Sequence, residues 1–413
     1  MNRTSLIYIT FACLHGVGVF VVPQLISVDG SASFLRRNWG YHFLTYFPIP
    51  VVGLAYVLFI ASLTPAIQSL FVSTLSRISV AVKGKRKSLV YLAISTLALA
   101  VLWGLRQKYP FLGDGYVRSS ELDRGIVHGS AGLFIRLLLQ TSTTFDLSGI
   151  ETYRIVSTLL GVPFVFLSLC VAYEIGTDTI SRVASAMLFV CSGILQFYAG
   201  YIETYALLPI LILLSVWLGL RGEHAVLRYA ALTTSFVAFF VHPLGGILAP
   251  STLYLVWVHD VKGRGPLFRS LCLAILVLGI VVGYTGGFFD AAVAATLPLI
   301  PDQDRTYALL TITNFWERLN GIILCCPAAI PLLLVLTGKE RKTASSSRSG
   351  FLWILSATGL VSVFTFDFIL GSQDWDLMAL VSFPICLISA HYLSRLREEK
   401  PAAVVMPAIA ICL

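Results

Sequence analysis

The chain has 413 residues, of which 57% are hydrophobic and only 12% charged, about half the ~25% usual in a soluble domain. Mean hydropathy is +0.84 and the formal net charge is +8. No soluble fold covers that much apolar surface, so an ordinary cytosolic enzyme, a disordered chain and a secreted disulfide scaffold are excluded, and long unbroken apolar runs exclude a β-barrel in favour of an all-α polytopic membrane bundle.

In chain order, candidate spans fall at 5–27, 41–64, 88–104, 153–173, 183–198, 205–220, 229–241, 244–258, 270–285, 321–337, 351–369 and 377–393. A further run, 401–413, is too short to cross ~30 Å of hydrocarbon at ~1.5 Å per residue. The expectation is one transmembrane domain over 1–413, with about 12–13 spans and a chain cut within a last span or ending in a half-span. The first run lacks a small-residue cleavage site and reads as an anchor. Residues 66–82 differ. Ile67, Leu70, Phe71, Leu75, Ile78 and Val82 share one helical face, which predicts an interfacial amphipathic helix rather than a span.

The connecting loops carry the chemistry. Two are long, 105–152 and 286–320, and long loops in compact proteins are usually functional. In FLGDGYVRSSELDRG (111–125), Gly113 and Gly115 flank Asp114, a pattern for a tight turn presenting a carboxylate or for a plain solvated Asx-turn. A helix from Tyr116 to Arg124 places Arg118 beside Glu121 by i,i+3, with Asp123 following. HGSAGLFIRLLLQ (128–140) then predicts a membrane-lying helix with Leu133, Leu137 and Leu138 on its apolar face.

GYIETYALLP (200–209) places Glu203 at the mouth between two apolar runs, where an ionisable side chain is a functional candidate or an interfacial glutamate in water. Tyr201 and Tyr205 read as aromatic-belt anchors or as substrate contacts. HPLGG (242–246) offers His242 as a proton shuttle, a ligand, a phosphate contact or a structural histidine at a proline turn. PDQDR (301–305) supplies Asp302, Asp304 and Arg305. Asn314, Trp316, Glu317, Arg318 and Asn320 open the next span, and QDWD (373–376) adds Asp374 and Asp376, with Asp367 just inside the preceding span.

Other features read as structural. His15 and His391 suit packed or interfacial positions, Gly279 and Gly283 make a helix-packing step, and 345–350 reads as a flexible inner loop. None of the eight cysteines forms a CxxC pair or a zinc pattern, so they read as small buried hydrophobes.

Charge fixes a topology. With the N-terminus cytoplasmic and 66–82 lying on the membrane, the inner segments hold 19 of the 29 basic residues and 7 of the 21 acidic ones. This positive-inside pattern puts the acids, histidines and aromatics of the polar loops on the extracytoplasmic face. The basic residues are spread over short loops rather than gathered on a soluble face, so no nucleic-acid partner is expected.

GDGYVRSSEL with the amphipathic helix after it, the run from Tyr153 through GYIETYALLP, HPLGG, and WERLNGIILCCP together resemble the GT-C superfamily of integral-membrane glycosyltransferases. The plan is similar to protein O-mannosyltransferases and to aminoarabinose and lipid-A-type sugar transferases, over about 88–393. Two features depart from the family. Asp114 is followed by Gly115 rather than a second acid, and 41–64 and 66–82 precede the first long loop.

The resemblance implies transfer of a sugar from a polyprenyl-phosphate donor to a lipid, glycan or protein acceptor, at the outer face of a plasma membrane. It implies that 105–152 is a catalytic outer loop with amphipathic helices. Asp114 would be the base, and Glu203 would orient the acceptor or share a metal. Arg118, Arg305 and His242 would receive the phosphate, and Tyr116, Glu121, Tyr205, Asn320, Asp374 and Asp376 would complete the substrate contacts. A divalent cation, Mg2+ or Mn2+, between Asp114 and Glu203 suits the preference of hard cations for carboxylates. The rival reading, a multi-pass transporter or lipid flippase, requires charges deep within spans and helices broken near the midplane.

Overall fold

The computed structural model describes residues 48–82, 87–107, 115–127, 132–261, 308–329, 347–366 and 374–395, together with a few short stretches. Most of the expected run 5–27, and all of 270–285 and 401–413, lie outside the described residues, as do His15, Gly279 and Gly283.

Among the described residues the regular elements are helices. In chain order they are α1 (Ile49–Ser62), α2 (Pro65–Val82), α3 (Lys87–Gly104), α4 (Gly115–Asp123), α5 (Gly132–Phe145), α6 (Gly149–Ile175) and α7 (Thr179–Val190). A 3-10 turn (Gly193–Tyr198) leads to α8 (Leu208–Leu220) and α9 (Ala225–Val241), and a second (Pro243–Leu248) leads to α10 (Ala249–Val256) with a π turn (Trp257–Val261). α11 (Ile312–Cys325), α12 (Ser347–Thr365) and α13 (Trp375–Leu393) complete the set.

Of these, α3, α6, α12 and α13 are each long and apolar enough to cross a membrane, and α1 with α2 makes a fifth candidate if the bent pair is one span. The chain is therefore a multi-pass membrane protein. At ~1.5 Å per residue α6 exceeds the ~30 Å of hydrocarbon, which it accommodates by tilting.

Local chemistry sets the boundaries. Ser148 and Glu151 close a capping box that starts α6, and Asp178 with Ser181 does the same for α7. Thr311 accepts from the Asn314 N–H at 3.3 Å and starts α11 nine residues before the expected 321, so Asn314 to Asn320 lie inside the helix. The apolar run 183–198 is not one rod: α7 ends at Val190 and the chain tightens into a 3-10 turn. The run 244–258 is likewise a 3-10 turn, a short α-helix and the start of a π turn. The expected flexible loop at 345–350 is corrected in part, because Ser347–Gly350 form the first turn of α12. Helices α1 and α2 meet at a bend of 83°, so 66–82 lies in a helix of its own.

In lipid, helix association depends on close packing, because the tails are as apolar as the side chains. Helix α13 is the central element, buried along nearly its whole length, while α3 is mostly exposed and carries Leu89, Leu92, Leu97 and Val101 on its outer side. Gly359 of α12 lets the two last helices touch: a Cβ there would lie 2.4 Å from the Val381 carbonyl oxygen of α13. Ser356 Oγ donates to the Pro384 carbonyl at 2.7 Å across the same contact. Cys325, Cys326 and Cys386 are buried, as expected of small hydrophobes, whereas Cys13 is exposed and Cys170 and Cys191 are half-buried.

Candidate active site

Contacts of Gly149 with Asp123, of Tyr205 with Asp376 and His242, and of Ile202 with Tyr153 and α5 gather the loop 199–207, the starts of α6 and α13, the end of α9 and the helices α4 and α5 at one end of the bundle. Helix α4 is docked there by its own last residue. Asp123 Oδ1 accepts from the Gly149 N–H at 2.6 Å, satisfying an orphan donor at the start of α6. Gly149 permits this approach, since a Cβ would meet the Ser119 carbonyl oxygen at 2.3 Å. Leu122 of α4, Phe134, Ile135 and Leu138 of α5, Tyr153 of α6, and Ile202 and Ala206 form one buried cluster. The packing face of α5 is thus Phe134–Ile135–Leu138. Leu138 is buried as expected, but Leu137 points outward at 52% exposure, and the Leu133 side chain lies outside the described residues. The face slips because the helix packs on protein as well as facing its surroundings.

Within this frame Glu203 is only 5% exposed, so it is not a glutamate in bulk water. Its Oε2 accepts from the Thr204 N–H at 3.2 Å, and it acts electrostatically on the hydroxyls of Tyr153, Tyr201 and Tyr205. Tyr153 also feels Arg118 and Glu121, which places the ion pair of α4 in the same neighbourhood. That pair is formed as the spacing predicts, Arg118 Nη1 to Glu121 Oε2 at 3.1 Å. Tyr116, by contrast, is 61% exposed on the outer side of α4.

A second carboxylate shares the same two tyrosines. Asp376, in the first turn of α13, is buried; its Oδ2 accepts from Tyr201 Oη at 3.1 Å and from Tyr205 Oη, and its Oδ1 from the Leu377 N–H at 2.9 Å. Tyr201 and Tyr205 are therefore not aromatic-belt anchors: both are buried and hold a carboxylate. Burial first, then the carboxylates of Asp376, Glu203 and Asp374, push the Tyr201 hydroxyl well above its usual range, which keeps it a donor. Phe197 stacks on Trp375 with ring centroids 5.7 Å apart, and the Trp375 ring also meets Tyr201 at 5.2 Å. Asp374 stands half-buried just before α13.

His242 follows α9. Its Nδ1 accepts from the Leu244 N–H at 3.2 Å, and its ring packs on Tyr205 at 5.2 Å. Desolvation lowers its pKa to about 4. The imidazole is thus neutral at pH 7, with the proton on Nε2: a hydrogen-bond donor rather than a cation.

Asn314, Glu317, Arg318 and Asn320 are all buried on α11, with Arg318 Nε donating to Asn314 Oδ1 at 2.8 Å and Nη2 to the Phe366 carbonyl at 3.1 Å. Asp114, Asp302, Asp304, Arg305 and Asp367 lie outside the described residues. Among the described residues no group of three or more His, Cys, Asp or Glu converges as a metal would require. Phe197 and Trp375 join the site without having been singled out, and Tyr153 is marked only as the start of a run; their signal in the sequence is that each neighbours a polar constellation.

No family model matches the sequence, and no curated protein matches it. Two solved structures are similar to this chain. ArnT from Cupriavidus metallidurans in the apo state is 15% identical, with a TM-score of 0.49 over 75% of this chain and 59% of that one. ArnT from the same organism bound to undecaprenyl phosphate is 15% identical, with a TM-score of 0.46 over 76% and 61%. The chain spans about three fifths of the length of these structures.

Proposed function

We propose that this protein is a membrane glycosyltransferase that moves a sugar from a polyprenyl-phosphate donor to an acceptor hydroxyl at the extracytoplasmic end of the bundle. The observation that carries the reading is the convergence there of Glu203, Asp376, Tyr201, Tyr205, His242 and the Arg118–Glu121 pair, from α4, α9, α13 and the 199–207 loop.

The reaction breaks the bond between the anomeric carbon and the phosphate oxygen and makes one to the acceptor oxygen. The acceptor proton passes to a carboxylate, and the electron pair leaves with the polyprenyl phosphate. Asp114 is the base in this reading. It precedes Gly115, the buried first residue of α4, whose Asp123 end is tied to α6. Glu203 orients the acceptor, and a divalent cation between Asp114 and Glu203 would be held by carboxylate oxygens. Arg118 and the Nε2–H of neutral His242 serve as donors for the charge that develops on the leaving phosphate, with Arg305 as a further cation. Asp376 positions Tyr201 and Tyr205 near Glu203. The membrane supplies the donor lipid directly, so the site faces the end where cytosolic nucleotide sugars are absent.

A photoreactive polyprenyl phosphate tests the reading on the purified protein, and undecaprenyl phosphate is a suitable competitor. Labelling in 115–127, 199–209 or 242–248 that is displaced by polyprenyl phosphate but not by the uncharged polyprenol supports it. Labelling at the opposite end, or equal displacement by polyprenol, contradicts it.

A further inference from the structure

The opposite end of the bundle holds a second cluster, made by the start of α3, the end of α6, the start of α7 and the end of α8. The Tyr173 ring carries two cations: Lys87 Nζ lies 4.2 Å and Arg182 Cζ 4.1 Å from its centroid. Lys87 also donates to the Tyr173 hydroxyl, and Arg182 Nε donates to the Gly176 carbonyl at 3.0 Å. Arg221 adds a third cation next door, 3.5 Å from Glu174 and 5.0 Å from the Trp217 ring.

Among the described residues, the other carboxylates at this end are engaged elsewhere. Asp260 is bound to Arg228, Glu223 to Arg348, and Asp178 caps α7. Two cations on one ring repel each other, and among the described residues the neighbouring acid, Glu174, is held by Arg221. An anion seated over Lys87 and Arg182 relieves that repulsion.

The surroundings select the source of the anion. Lys87 is exposed at the foot of α3, the helix whose outer side is a column of exposed leucines, while Tyr173 and Trp217 are half-buried at the level of the cations. Cations and interfacial aromatics below an apolar, outward-facing helix match a phospholipid, with acyl chains along α3 and the phosphate at the cluster. A soluble anion would have no use for the apolar column.

We infer that Lys87, Tyr173, Arg182 and Arg221 form a binding site for the headgroup of an anionic phospholipid in the leaflet at the basic end of the bundle. The site is independent of the sugar-transfer reading. It uses none of those residues and lies at the other end of α6.

Native mass spectrometry of the full chain, released from mixed phosphatidylglycerol and phosphatidylcholine, tests it. Wild type retains phosphatidylglycerol preferentially, and Lys87→Gln/Arg182→Gln/Arg221→Gln lowers that retention by about tenfold or more. Arg124→Gln/Arg136→Gln, at the far end, leaves it unchanged. If the triple variant does not fold, Lys87→Gln and Arg182→Gln singly each lower retention severalfold. Tyr173→Leu, which keeps every charge but removes the ring that gathers two of them, does the same. Retention that is equal in wild type and the charge variants overturns the site. Complete displacement by excess inorganic phosphate overturns the lipid assignment and leaves a simple anion site.

Discussion

Asp376 shows how a single residue couples the site to the core. A buried carboxylate is tolerable only while its lone pairs are filled, and two tyrosine hydroxyls and a backbone N–H fill them. Tyr205→Phe keeps the ring against His242 and deletes one donor, so it lowers stability by about 1–3 kcal/mol, measured as a fall in Tm of the purified protein. An unchanged Tm contradicts the assignment. His242 makes a pH prediction. Burial lowers its pKa from 6.5 to about 4, so as pH falls the unfolded chain takes up a proton before the native one. Its contribution is complete above pH ~6.5 and declines as pH drops toward about 4. The Tm of wild type therefore falls more steeply over that interval than the Tm of His242→Gln, and parallel profiles contradict a buried neutral imidazole.

Helix α4 depends on one glycine. Gly149→Ala forces a Cβ against the Ser119 carbonyl oxygen and levers α4 from the start of α6. The expected result is faster proteolysis within 115–127 together with lost transfer activity, while the rest of the bundle stays folded. Unchanged proteolysis contradicts the docking. Helices such as α3, α6 and α13 were legible in the sequence, because long apolar runs leave few alternatives. The breaks after Val190 and at 243–261 were not, because apolar composition is the same in a straight span and in a segmented one. The packing face of α5 was misplaced for a related reason: hydrophobic spacing marks an apolar side without saying whether protein or lipid covers it. Glu203, Asp376 and Tyr205 stood out individually, but the bond from Tyr205 to Asp376 joins residues 171 apart, and nothing local encodes it.

At the scale of the whole molecule, the two ends differ in kind. One gathers carboxylates, tyrosines and a neutral imidazole around Glu203, and the other gathers paired and stacked cations around Tyr173. We propose, from the charge count, that the basic end faces the cytoplasm. In a Cys13→Ser background, a cysteine at Arg124 is accordingly labelled by an impermeant maleimide in intact cells, and one at Glu223 only after permeabilisation. The reverse pattern contradicts the orientation. The central claim is sugar transfer at the acidic end. Its most direct test is transfer of radiolabelled sugar by purified wild type, Asp114→Asn and Glu203→Gln proteins, presented with a mixture of polyprenyl-phosphate sugars and membrane acceptors at equal protein levels. The account predicts labelled product with wild type and at least a ~100-fold loss in Asp114→Asn, with Glu203→Gln also impaired. Transfer that survives both substitutions contradicts it.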